Sequence, residues 1–204
     1  MRSGLVTAGW CHLAALAIGL GVVAKGPIAA YPLLFLVALA AIDRCWSGLR
    51  RFVFSGAPLT ILVIALPWFI YASFHPAYQI LLADLQNSAR GGKGHGDLPH
   101  VYINYVFAAL LPWTGLTVVS YWAATKRWRR DARLRMLLVW SLVVFVPLLI
   151  WGNKQRHYLL PLMPPAAMIL GWGIDRALRR PGSFRGFRVV ARATFIAYAL
   201  PVSY

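Results

Sequence analysis

Apolar runs long enough to cross a bilayer, separated by short clusters of arginine and lysine, dominate this chain. A hydrocarbon core about 30 Å thick is crossed by about 20 helical residues, with a working range of about 17–25. Lipid offers a bare backbone no hydrogen-bonding partner, so such runs have to be helical. Seven runs are read here: 5–23, 27–42, 52–74, 101–125, 136–152, 158–174 and 189–204. The second, fifth and sixth are short. The sixth carries Pro161, Pro164 and Pro165, which predicts a kinked or irregular start, because proline removes an N–H and clashes with the preceding turn. The expectation is an all-α polytopic membrane protein. It has a single transmembrane domain over 1–204, with about six full transmembrane helices and a partial seventh.

Composition and charge support that class and exclude others. Only 13% of the residues are charged, against about 25% in a soluble domain. The formal charge of +16 comes from 21 Lys+Arg against five aspartates and no glutamate. The cations sit in loops rather than on one face, which argues against nucleic acid as a partner and for lipid. Sixteen of them fall at Arg2 and in the loops around 44–51, 126–135 and 176–192. Five, Lys25, Arg90, Lys93, Lys154 and Arg156, fall in the alternate loops. The positive-inside rule then places the N-terminus in the cytoplasm and the poorer loops outside. No cleavable leader is expected from the first run. Cys11 lies in an apolar run and Cys45 in a basic loop, so neither a bridge nor a metal is expected of them.

The outward side carries the unusual residues. Lys25 stands between two apolar runs in Ala24-Lys25-Gly26-Pro27; it reads either as a functional cation or as a lysine snorkelling to the interface. The outward loop 75–100 is long for a helical bundle. Tyr78, Leu81, Leu82, Leu85 and Ala89 recur at helical spacing there, predicting a short amphipathic helix on the membrane surface. Residues 91–96 are glycine-rich and basic, a lid or a plain connector. Lys154, Arg156 and His157 crowd the turn before the sixth run; such cations suit an anionic phosphate, with the lipid headgroups as the plain alternative. His95, Asp97 and His100 have ligand-like spacing but lack a further ligand, and no metal site is read from them. His12, inside the first run, is expected to hydrogen-bond between helices.

Three stretches in order resemble a known family. They are Gly19 to Pro27, ending Ala-Lys-Gly-Pro; Pro67-Trp68 with Asn87-Ser88-Ala89-Arg90, Gly94-His95 and Leu111-Pro112-Trp113; and Lys154 with His157-Tyr158-Leu159-Leu160-Pro161. Together, over about residues 10–175, they resemble the membrane domain of C-superfamily glycosyltransferases that use lipid-linked sugars. The nearest branch is that of the bacterial protein mannosyltransferases and the lipid A aminoarabinose transferases. Departures are Gly91 where the family has Phe, Gln86 where it has an acid (with Asp84 nearby), and Arg156 where Pro is common.

The resemblance implies transfer of a sugar from a polyprenyl-phosphate donor to a lipid, glycan or protein acceptor at the outer face of a bacterial inner membrane. It implies that Lys25, Arg90, Lys154 and Arg156 hold the donor phosphate, supported by Asn87, His95, His157 and Tyr158. The general-base aspartate of the family lies in a loop that would precede Met1. The chain is therefore expected to be a fragment of a larger enzyme, inactive alone, with no assigned catalytic residue. No cofactor is assigned, and a divalent metal ion is left open. Membrane lipids are the other expected partners, and nothing in the sequence fixes the oligomeric state. An anionic-lipid transporter or flippase would use the same outward cations, and a non-catalytic membrane fragment is the third reading; few polar residues lie at mid-helix to serve transport.

Overall fold

The computed structural model describes residues 2–25, 29, 31–76, 78–80, 83, 86, 100–150, 156–179, 187, 189–192 and 194; the side chains of 2–7, 25, 100 and 101 lie outside this set. Among the described residues every regular element is helical. They fall into two compact units, Met1–Arg90 and Gly91–Tyr204.

The first unit contains α1 (Arg2–Lys25), α2 (Tyr31–Ile42), α3 (Ser47–Phe54) and α4 (Ala57–Ser73). α1 packs along α4. Small residues allow the approach: Ala15 is fully buried, and a Cβ added at Gly19 would meet Ile64 Cβ at 3.1 Å. The expected helix 52–74 is not continuous. α3 and α4 are bent by 55° at a break around Ser55 and Gly56. Pro58 has no N–H to give the Phe54 carbonyl and its ring would strike it, while Gly56 takes the left-handed conformation at φ 78° that the corner needs. Leu59 N–H, which would serve Ser55 in a regular helix, bonds the Gly56 carbonyl instead.

His12 closes that gap. Its Nε2 lies 3.0 Å from the Ser55 carbonyl oxygen and its Nδ1 lies 2.8 Å from Thr60 Oγ1. A carbonyl only accepts, so Nε2 carries the proton; in the neutral tautomer Nδ1 then accepts from the threonine hydroxyl. The expected interhelical role of His12 is what the geometry shows.

The second unit contains α5 (His100–Ala109), α6 (Thr114–Thr125), α7 (Ala132–Ile150), a 3₁₀ segment (Arg156–Leu162) and α8 (Met163–Arg179). The expected helix 101–125 is also broken, with α5 and α6 bent by 108°. Pro112 cannot donate to the Ala108 carbonyl, so Leu111 N–H turns to Ala108 and the Thr114 hydroxyl donates to the Phe107 carbonyl at 2.8 Å. The irregular start expected of the sixth run is the 3₁₀ segment around Pro161. α6, α7 and α8 pack on one another. Gly173 of α8 lies against Ser120 of α6, where an added Cβ would overlap the serine side chain.

Among the described residues, α7 is the one helix that alone has the length and apolarity of a span. The two bent pairs qualify if each counts as one broken span, and 8–24 and α2 are shorter apolar helices. Residues 76, 78–80, 83 and 86, within the expected surface helix, are helical, as are 189–192 and 194 of the expected seventh. The remainder of both lies outside the described residues. Cys11 and Cys45 are free thiols.

Candidate functional site

The 3₁₀ segment gathers three of the expected site residues. In a 3₁₀ helix positions three apart share a row. Leu159 and Leu162 form one such row, buried in a cluster with Tyr102, Val144 and Leu148. Arg156 begins that row one turn earlier, and its guanidinium carbon lies 5.0 Å from the centre of the Tyr105 ring on α5. That is within the reach of a cation–π contact, which holds an exposed guanidinium in place while leaving its N–H donors directed elsewhere. His157 and Leu160 share the exposed row. Tyr158 is half-buried, packs against the leucine cluster and meets the His157 ring edge-on at 4.5 Å.

The segment therefore anchors itself by leucines, while the long Arg156 side chain at its start and His157 on the other row stay exposed. Among the described residues Arg156 has no ion pair. A charge-assisted hydrogen bond to an anion is what this end of the unit can offer chemically. Tyr105, the residue that steadies Arg156, is not recoverable from local spacing, since it comes from a helix some fifty positions earlier.

The other expected residues are placed less fully. The backbone of Lys25 is the last residue of α1, and its side chain lies outside the described residues. Asn87, Arg90, His95 and Lys154 also lie outside them, as do the glycine-rich stretch 91–96 and Asp84 and Asp97. Two of the described acids have structural work. Asp131 caps α7 by accepting from the N–H groups of Arg133 and Leu134 at 3.0 and 3.2 Å, and Asp175 pairs with Arg179 at 2.7 Å. No three His, Cys, Asp or Glu side chains among the described residues come together to hold a metal ion.

Among the described residues, helices of apolar, membrane-type composition, two of them bent pairs, and a cationic turn are what these observations define, and the known proteins that the chain resembles are transferases named for an undecaprenyl phosphate-linked sugar. The chain is similar to undecaprenyl phosphate-alpha-4-amino-4-deoxy-L-arabinose arabinosyl transferase 2 of Proteus mirabilis, 28% identical over 170 residues, covering 79% of this chain and 30% of that protein. It is likewise similar to arabinosyl transferase 1 of the same name from Pseudomonas fluorescens, 26% identical over 203 residues, covering 94% of this chain and 34% of that protein. The fold matches the crystal structure of ArnT from Cupriavidus metallidurans bound to undecaprenyl phosphate, with TM-score 0.67 and 24% identity, over 82% of this chain and 31% of that one. The chain spans about a third of the length of these relatives. No family model matches it.

Proposed function

We propose that this chain is part of the membrane domain of a glycosyltransferase that moves a sugar from a polyprenyl-phosphate donor to an acceptor at the outer face of a bacterial inner membrane. The names of the relatives make an undecaprenyl phosphate-linked aminoarabinose the favoured donor. The observation that carries the reading is Arg156, an exposed guanidinium fixed over Tyr105 on a leucine-anchored turn.

In such a transfer the leaving group is a lipid phosphate, and its growing negative charge is stabilised by cations already in position. Arg156 offers a bidentate fork for two phosphate oxygens. The resemblance assigns Lys25, Arg90 and Lys154 to the same phosphate, with Asn87, His95, His157 and Tyr158 supplying hydrogen bonds. In this reading the bent pairs α3–α4 and α5–α6 each form one broken span, bringing the count to about six with a partial seventh. Loop 75–100 lies outside and carries the amphipathic helix, the N-terminus is cytoplasmic, and 1–204 forms one transmembrane domain.

The test is binding of undecaprenyl phosphate to the purified chain, with transfer of radiolabelled sugar by the full-length enzyme in membranes as the second readout. Arg156→Ala is expected to weaken binding at least tenfold and Arg156→Lys to restore it only in part, because an ammonium lacks the planar fork. Equal affinity for wild type and both variants would remove Arg156 from the site. Sidedness is tested at Cys45, which is exposed in the loop between α2 and α3. The Ser47 hydroxyl and backbone N–H hydrogen-bond the sulfur and hold the thiol below its ordinary pKa, favouring the reactive thiolate. A membrane-impermeant maleimide should leave Cys45 unmodified in intact cells and modify it in inverted vesicles; labelling of intact cells would reverse the orientation.

A further inference from the structure

A groove runs along the second unit beside α6 and α7, with a volume of about 390 Å³. Phe107, Val118 and Leu142 line it and are themselves exposed, so it is a channel open along its side rather than a sealed chamber. Its hydroxyls are turned to other work. Thr114, Thr117 and Thr125 donate to backbone carbonyls at 2.8, 2.9 and 2.8 Å, and Tyr121 bonds Ser141 at 2.8 Å, with Ser141 bonding the Leu137 carbonyl at 2.9 Å. What remains for an occupant is hydrocarbon contact.

One end of the groove is lined by Thr125 and Trp128, at the turn between α6 and α7. That turn is ordered by its own backbone, with Arg127, Trp128 and Arg130 N–H groups bonded to carbonyls three residues back at 2.9, 3.1 and 2.9 Å. Between 126 and 133 it carries Lys126, Arg127, Arg129, Arg130 and Arg133 against one acid, Asp131, which is committed to capping α7. Lys126 is steadied with its Nζ 3.4 Å above the Trp122 ring. From Thr114 to Thr125, α6 rises about 17 Å at 1.5 Å per residue. That is close to one leaflet, half of a hydrocarbon core about 30 Å thick.

We propose that the groove and the turn together form a site for an anionic phospholipid, its phosphate on the 126–133 cations and one acyl chain in the groove. A zwitterionic headgroup would bring its own cation to a surface already rich in them, so charge complementarity selects the anionic class. The inference rests on the membrane reading above. It places the phosphate at the basic end of the unit, the opposite end from Arg156, so it concerns a different ligand from the sugar donor.

The test is mass-spectrometric quantification of phospholipid retained by the purified 204-residue chain, against the bulk membrane. Wild type should be enriched at least threefold in phosphatidylglycerol or cardiolipin. Lys126→Ala/Arg129→Ala/Arg130→Ala, three exposed positions, should lose that enrichment with helix content unchanged. Leu142→Trp, which fills the groove, should lose retained lipid altogether; if it misfolds, adding dioleoyl-phosphatidylglycerol or dioleoyl-phosphatidylcholine to the delipidated triple variant decides, and only wild type should be stabilised by the former over the latter. Retained lipid that mirrors the bulk, enrichment that survives the triple substitution, or no retained lipid at all would each overturn the proposal. A failed sugar-transfer assay would leave these readouts unchanged, and the two readings therefore fail separately.

Discussion

At the corner between α3 and α4 the proline is Pro58, which leaves the Phe54 carbonyl without its helical donor; at the corner between α5 and α6 it is Pro112, which does the same to Ala108. Each corner also displaces a backbone N–H, Leu59 in one and Leu111 in the other, from the carbonyl it would serve in a regular helix. The replacements differ. Ser55 is served by His12, 43 positions away on α1, whereas Phe107 is served by Thr114 from the next helix of the same corner. The first repair ties a neighbouring helix into the corner and the second is local. One corner thus depends on tertiary packing, and the other carries its own cap through a bend of 108° against 55°.

Removing the repairs should expose that difference. His12→Leu keeps the apolar volume and deletes both bonds, leaving the part-buried Ser55 carbonyl and Thr60 hydroxyl to find other partners. An orphaned buried polar group costs about 1–3 kcal/mol, so the midpoint of thermal unfolding in detergent should fall by several degrees. Thr60→Val alone should cost less, because the carbonyl keeps its donor. No shift with His12→Leu would mean that water or a rearranged backbone serves Ser55. Next in size is Gly56→Ala. A Cβ there would have room, the nearest atom being His12 Cε1 at 3.9 Å, so the cost is that of the left-handed backbone alone. That is about 1 kcal/mol, read by the same melt, and a neutral result would show that the corner opens to a less bent form.

The sequence carries these corners unevenly. Spans 52–74 and 101–125 read as single helices because their apolar length is right and proline alone is a poor marker: Pro67 and Pro147 lie inside α4 and α7 without breaking them. What separates Pro58 is Gly56, a residue able to turn left-handed two positions earlier; what separates Pro112 is Thr114, whose hydroxyl can reach back to Phe107. Both signals are local and could be sought in advance. The helical class, the polar role of His12 and the irregular start around Pro161 were legible because each follows from one residue type in an apolar run. The candidate site was legible only as a cluster of cations at 154–157. Its support was not, because Tyr105 reaches Arg156, and Tyr102, Val144 and Leu148 hold Leu159 and Leu162, through tertiary packing that no spacing encodes.

The smallest effect is expected at the self-capped corner. Thr114→Val preserves shape and branching and removes one exposed hydrogen bond to the Phe107 carbonyl. An exposed carbonyl is more readily served by water than a buried one, so the loss should sit at the low end of the ordinary range for a single bond, about 0.5 kcal/mol. The informative quantity is its coupling to His12→Leu. The two corners belong to different compact units and share no hydrogen-bonding partner, so their effects should add within about 0.5 kcal/mol. A larger discrepancy in the double variant would mean that a bend in one unit is sensed in the other, and the division into a tertiary repair and a local one would have to be replaced by a single coupled element.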